Sequence, residues 1–131
     1  MNRRALRENT FQMLFRVEFH DEKEYEEQMN LFFENMEEIS DEDKTFITDR
    51  FKNISEKIPE IDKKLDEAST GWKTARMNKV DLTLLRLAVY EMLFDDDVPK
   101  AVAMNECVEL AKKFGTDSSP SFVNGVLSNI S

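Results

Sequence analysis

Apolar residues recur along this chain at three- and four-residue steps, the spacing that one face of an α-helix requires. The first such stripe lies between residues 3 and 19, and similar stripes follow almost to the last residue. No segment alternates apolar and polar residues in the way that predicts a strand. Three Gly and three Pro also leave few turns. The pattern therefore predicts an all-α protein of about seven helices.

Capping and breaking residues divide the first half of the chain. The first helix covers residues 3–19. Ser40, which three acidic residues follow, is predicted to be the N-cap of the third helix. Pro59 is predicted to separate the third helix from the fourth. We expect one domain built of two small packed bundles, with an N-terminal lobe of about residues 1–58 and a C-terminal lobe of about residues 59–131.

The second half holds the most apolar segment. The fifth helix, about residues 78–94, has a wide apolar arc and is predicted to be the most buried. Gly115 is predicted to end the sixth helix as a C′ glycine, and Ser119 to cap the last helix with Pro120 at its first position. The predicted core faces, in chain order, are Leu6, Thr10, Met13, Leu14, Val17; Met29, Phe32, Phe33, Met36; Phe46, Ile47, Phe51, Ile54; Ile61, Leu65, Ala68; Leu84, Leu85, Leu87, Ala88, Met92, Leu93; Ala103, Cys107, Leu110, Ala111, Phe114; and Phe122, Val126, Ile130.

Charge is distributed unevenly along the chain. The formal net charge is −9, yet residues 1–19 carry four arginines and only two acidic residues, so residues 20–131 sum to −11. Residues 21–43 hold eleven carboxylates against one lysine. A solvated face is the ordinary reading of such a run, and a basic partner is the alternative. The arginines need a separate explanation.

Catalytic and metal chemistry find little support. Cys107 lies on an apolar stripe, and the only histidine, His20, lies in an acidic connector, so a thiol nucleophile has no evident base. The acidic triplet at 95–97 lacks the alternating ligands and central glycine of a calcium loop. The three glycines are too far apart to form a phosphate-binding loop. We expect no enzyme activity, no metal site and no cofactor.

The cellular location follows from two features of the sequence. No apolar run approaches the roughly 20 residues of a membrane span, and no unbroken apolar segment follows the basic N-terminus as in a signal peptide. A single cysteine fits a reducing compartment. We expect a cytoplasmic protein without membrane contact.

The first helix carries a mixed flank beside its core stripe. At about 100° per residue, Arg3, Arg7, Phe11, Arg4 and Phe15 fall within an arc of roughly 120°. Cations that reach phosphates, next to rings on which unpaired bases stack, are typical of single-stranded RNA binding. The alternative is that both rings pack on a neighbouring helix while the arginines pair with acids.

Four stretches together resemble a known family. RRALRENTFQMLF, VDLTLLRLAVYEM, VPKAVAMNECVELAKKFG and SFVNGVL, in this order and spacing, resemble the NusB family of bacterial transcription antitermination factors. The resemblance covers about residues 1–19 and 72–130, whereas residues 20–71 match only as a run of helices. It implies two helical bundles, no catalysis, and a heterodimer with NusE, a small-subunit ribosomal protein. Such pairs bind boxA, a short single-stranded element of nascent ribosomal transcripts, in a complex with other Nus factors and RNA polymerase.

The resemblance also implies roles for particular residues. The RNA side would comprise Arg3, Arg4, Arg7 and Phe15, together with Phe122 and its neighbours at the start of the last helix. Phe15 stands where the family usually has Tyr, which keeps a stacking face but lacks the hydroxyl.

Three further expectations concern the C-terminal half. Asp81 matches an acidic position that the family places at the NusE interface, and we expect it on an exposed shoulder of the fifth helix. Pro120 and Ser121 stand where a basic residue often precedes the Phe, which reduces the cationic surface there. Gly125 lies inside the last helix and is predicted to allow close packing on the fifth.

Two readings of the function remain. In the first, the chain binds RNA with NusE, and the basic ribosomal protein cancels the repulsion between a −9 protein and phosphate. In the second, it is a non-catalytic helical adaptor for proteins that never touches RNA, and its arginines are structural. The sequence also leaves open a homodimer that hides the arginine helix.

Overall fold

All regular secondary structure is helical in the part that the computed structural model describes, residues 1–130. Six α-helices fall in this range, with two short 3-10 turns and no strand. The all-α prediction is confirmed, and six helices is close to the expected number of about seven. The helices are α1 (Arg3–Val17), α2 (Tyr25–Glu34), α3 (Asp41–Ala68), α4 (Lys79–Phe94), α5 (Lys100–Phe114) and α6 (Ser119–Ser128).

The third helix runs through Pro59, where the sequence predicted a break, and that prediction is wrong. Pro59 has no N–H for the Ser55 carbonyl, and an interior proline costs about 3 kcal/mol. Ile54, Ile61 and Leu65 are all fully buried and keep helical spacing through the proline. Burial of each is worth roughly 1.5–3 kcal/mol, so together they outweigh the cost of the proline.

The chain forms two compact units, Met1–Ser55 and Glu56–Ser131. The assignment of two lobes at about residues 1–58 and 59–131 stays a prediction. In the first unit, the Ser40 hydroxyl accepts a hydrogen bond from the Asp43 N–H at 3.1 Å, as expected of an N-cap. Phe46 departs from its predicted core position because it is 38% exposed.

The second unit is built around α4, which packs against α5 and α6. Ten of its sixteen residues are buried, which confirms the prediction that this helix is the most buried. Arg86 donates two hydrogen bonds to the Asp62 carboxylate, at 2.9 and 2.8 Å, and so joins α4 to α3.

Gly115 follows α5 for a reason other than the predicted one. Its φ of −93° is not left-handed, so the C′ prediction is wrong in its mechanism. A Cβ at this position would collide with the Ser119 side chain and lie 2.8 Å from the Ala111 carbonyl oxygen. The Ser119 hydroxyl is held there because it accepts the Thr116 N–H at 2.9 Å. Ser119 is the first residue of α6 rather than its cap.

Candidate nucleic-acid interface

The arginine-rich end of α1 is fixed by a side-chain cap. The side-chain oxygen of Asn2 accepts a hydrogen bond from the Ala5 N–H at 2.8 Å. The backbone carbonyl of Asn2 accepts one from the Leu6 N–H at 3.0 Å. The side chain thus satisfies one of the free N–H groups of the first turn, and the Leu6 bond is the first regular bond of the helix, which begins at Arg3.

Three arginines lie near the N-terminal end of α1, where the helix dipole favours anions. Arg3 and Arg4 are exposed in the first turn, Arg7 is half-buried in the second, and no acidic residue lies in the first turn. The N-terminus of a helix carries partial positive charge, so each cation in that turn is unfavourable by about 0.3–1 kcal/mol. The helix dipole therefore does not favour Arg3 and Arg4 at this position, whereas the three arginines together create a cationic end suited to phosphate.

A row of three phenylalanine rings begins in α1 and continues just beyond its end. The ring centroids of Phe11 and Phe15 are 6.1 Å apart, and those of Phe15 and Phe19 are 5.3 Å apart at an interplanar angle of 82°. Exposure increases along the row, from 2% at Phe11, through a half-buried Phe15, to 63% at Phe19.

The sequence misplaced one ring of this row and missed another. Phe11 belongs to the core, so the expectation that it lies on the exposed flank with Phe15 is wrong. The helical projection assumed too narrow a core face, since α1 also packs against α2. Phe19 follows Phe15 by four residues, so the same spacing could have indicated it. It is the last residue of the predicted first helix, 3–19, whereas α1 itself ends two residues earlier at Val17.

The second predicted RNA element lies in the other unit, at the start of α6. Phe122 is half-buried, while its neighbour Val123 takes the fully buried position. Pro120 is half-buried and Ser121 is exposed, so no cation precedes the ring. The inner face of α6 is formed by Val123, Val126 and Leu127, and Ile130, two residues beyond the helix, is also buried.

Asp81 is not on an exposed shoulder, and that prediction is wrong. It is only 6% exposed, because α4 is covered on several sides by its neighbours. The Asp81 N–H donates to the Asn78 side-chain oxygen at 2.8 Å, and the Asn78 amide donates to Asp81 Oδ2 at 2.9 Å. Asp81 Oδ1 is buried without a hydrogen-bond partner among the described residues. Its role at a partner interface stays a prediction.

Gly125 does not mediate close packing, contrary to expectation. The residue is exposed, and a Cβ placed on it would meet no atom within 4 Å. Nothing within residues 1–130 explains a glycine at this helical position.

The remaining chemical groups have structural surroundings. Cys107 is 3% exposed and its thiol donates to the Leu84 carbonyl at 3.6 Å. Burial raises the pKa of this thiol, and the carboxylates of Glu91 and Asp81 raise it further. Among residues 1–130 no cluster of three His, Cys, Asp or Glu side chains could hold a metal ion. No helix in that range is long and apolar enough to cross a membrane.

Comparison with known proteins adds to this geometry. The sequence profile of the NusB family matches residues 4–131. The chain belongs to the NusB family. Transcription antitermination protein NusB of Lachnoclostridium phytofermentans is 53% identical over 130 residues, which cover 99% of this chain and 98% of that protein. The protein of the same name from Agathobacter rectalis is 54% identical over 127 residues, 97% of each chain.

Solved NusB structures share the fold. T. maritima NusB matches with a TM-score of 0.85 at 34% identity, over 99% of this chain and 90% of the other. A chain from a crystal structure of antitermination factors NusB and NusE in complex with dsRNA matches with a TM-score of 0.85 at 25% identity, over 98% of this chain and 94% of the other.

Proposed function

We propose that this NusB-family chain is a transcription antitermination factor that binds boxA-type single-stranded RNA together with NusE and so promotes transcription of ribosomal RNA. It acts as an RNA-binding adaptor and not as an enzyme. The family match over residues 4–131 and the antitermination role in the names of its relatives support this function. The related complex of NusB and NusE with RNA supports both partners.

One observation carries the RNA contact: the cationic end of α1 and the half-buried ring of Phe15 lie on the same helix. The cations are the guanidinium groups of Arg3, Arg4 and Arg7. Such a group binds two phosphate oxygens at once. Phe15 supplies a half-buried face on which a base can stack. From Arg3 to Phe15 the helix rises about 18 Å, the length of roughly five nucleotides in a stacked strand and of fewer in an extended one.

The rings favour a single strand over a duplex. In an A-form duplex the base faces are stacked on one another, so only the arginines of α1 would find a partner. An unpaired strand engages both the arginines and Phe15. The related complex holds dsRNA, so the proposed preference for a single strand is tested by comparing both forms of one sequence.

A basic partner explains how an acidic protein binds RNA. The chain has a formal net charge of −9, and most of the acidic side chains between residues 21 and 43 are exposed. A ribosomal protein rich in cations neutralises this field when it binds, and Asp81 is the predicted contact in the second unit. We place the assembly in the cytoplasm, with other Nus factors and RNA polymerase as further members of the antitermination complex.

The alternative is a protein adaptor that does not contact RNA. The burial of Phe11 is the observation in its favour, because one of the two rings assigned to RNA serves the core instead. A homodimer that covers the arginine helix would also suppress RNA binding, and RNA would then compete with dimerisation.

The test is a titration of fluorescently labelled boxA RNA with this chain, with NusE, and with both. We expect the pair to bind the single strand more tightly than either protein alone, and more tightly than it binds the duplex of the same sequence. If the chain sediments as a monomer and adds nothing to the affinity of NusE, the adaptor reading is correct. Sedimentation of the chain with and without RNA identifies a dimer that RNA dissociates.

A further inference from the structure

Phe19 is the most exposed large apolar side chain among the described residues, at 63%. Phe46 and Trp72, which are also exposed, each have a guanidinium group over the ring, from Arg50 at 5.1 Å and Arg76 at 6.0 Å. Phe19 instead meets the ring of Phe15 edge to face, with ring centroids 5.3 Å apart. An exposed ring that is fixed in place by another ring is a good stacking platform.

The position of Phe19 continues the candidate RNA surface. Arg3, Arg7, Phe11, Phe15 and Phe19 follow one another at steps of four residues. Each step within α1 turns by about 40° around the helix axis, which places Phe15 about 120° from Arg3. Phe19 lies beyond the end of α1, and its ring contact with Phe15 places it next to that residue. A strand whose phosphates are bound at the start of α1 reaches Phe15 first and Phe19 next.

The charges around Phe19 decide which part of a nucleotide it can contact. Glu18, Asp21 and Glu22 are its acidic neighbours in the chain, and Asp21 and Glu22 are exposed. The nearest cation in sequence, Arg16, donates from Nε to the Gln28 side-chain oxygen at 2.8 Å. Phosphate is repelled from such a site, whereas stacking of a neutral base does not depend on charge.

We infer that Phe19 is a second base-stacking site of the RNA surface and takes the base of the nucleotide next to the one on Phe15. This inference rests on the proposed function. The two ring planes are 82° apart, so two bases that stack on them cannot stack on each other. The bound strand therefore turns one base out of its stack at this point, which a duplex cannot do without losing its pairing.

The test is a double-mutant cycle between the protein and the RNA, measured on the complex with NusE. Phe19→Ala is expected to weaken binding of single-stranded boxA RNA by roughly 5- to 150-fold, the range for one lost base–aromatic stack. Phe19→Tyr, which keeps the ring, should bind as the wild type does. The slope of log affinity against log salt should not change, because no phosphate contact is lost.

RNAs with one abasic nucleotide at successive positions complete the cycle. At one position the wild type should lose as much affinity as Phe19→Ala does, and the variant should lose nothing further. Because Phe19 is largely exposed, thermal melting should show that the variants are folded. If Phe19→Ala is unstable, Phe19→Leu replaces it in the cycle, because leucine keeps apolar volume without a π-face.

The outcomes separate this inference from the function on which it rests. If the wild-type complex does not bind boxA RNA, both are overturned. If it binds and Phe19→Ala or Phe19→Leu binds equally well, only the stacking site is wrong. If the variant loses affinity for NusE in the absence of RNA, Phe19 is a protein contact and the stacking site is again wrong.

Discussion

Replacing Arg3 with alanine should stabilise the protein while weakening RNA binding. Arg3 is the first residue of α1 and is exposed, at the helix end where a cation opposes the dipole. A residue retained for stability would not be expected there. Opposite signs in the two measurements therefore distinguish a binding residue from a structural one.

The expected gain in stability is small but measurable. Removing a cation from the first turn should raise the free energy of unfolding by about 0.3–1 kcal/mol at low salt. The higher helix propensity of alanine should add a few tenths of a kcal/mol. For a chain of this size the melting temperature should rise by about 2–4 °C. Loss of one phosphate contact should lower the slope of log affinity against log salt by roughly 0.7.

Arg16→Ala is the matched control in the same helix. Arg16 lies in the last turn, where a cation is favourable, and its Nε donates to the Gln28 side chain at 2.8 Å. This variant should lower the melting temperature. Calorimetry at low and high salt, with RNA titrations of the NusE complex, measures both effects. A lower melting temperature for Arg3→Ala, with RNA affinity unchanged, would refute the reasoning.

Three further predictions concern the second unit. Gly125→Ala should raise the free energy of unfolding by about 1 kcal/mol, because the position is helical and has space for a Cβ. Gly115→Ala should lower it, because the new Cβ collides with the Ser119 side chain. Denaturant melts measure both changes. Asp81→Asn should preserve the fold and weaken NusE binding by roughly tenfold if the carboxylate contacts the partner, and an unchanged affinity in a pull-down titration removes Asp81 from the interface. Because burial raises the pKa of Cys107, a thiol reagent at pH 8 should label the chain only after unfolding, and rapid labelling of the native protein would contradict its buried position.

The sequence predicted best the elements whose burial depends on local pattern. The apolar arc of α4 is so wide that any packing partner must cover it, and the segment is indeed the most buried helix. The same periodicity placed Met13, Leu14 and Val17 correctly in the core. In both helices the spacing of apolar side chains was sufficient information.

The errors arose where tertiary packing decides the outcome. Pro59 is an unfavourable residue for a helix interior, yet buried side chains on both sides of it keep α3 continuous. Asp81 is polar and close to a helix end, yet α4 is covered there too. Phe11 lies beyond the narrow stripe that the helical projection assigned to the core. None of these can be read from a single segment, because each depends on what packs against it.

The exposed flank of α1 was predicted in its charges and only partly in its rings. Arg3 and Arg4 are exposed as a cluster of like charges at the start of a capped helix should be. Phe19 was not assigned to the RNA surface, although it is the last residue of the predicted first helix. Its contact with Phe15 became visible only with the positions of both rings.

The salt dependence of RNA binding by an Arg3→Ala/Arg7→Ala variant, in complex with NusE, tests the central claim most directly. The control is Lys52→Ala/Lys112→Ala, which removes the same charge from exposed positions on α3 and α5. We expect the arginine variant, but not the lysine control, to bind boxA RNA more weakly than the wild type. Its slope of log affinity against log salt should be reduced by roughly 1.4. Equal affinities and equal slopes for the two variants would contradict the assignment of α1 as the RNA surface.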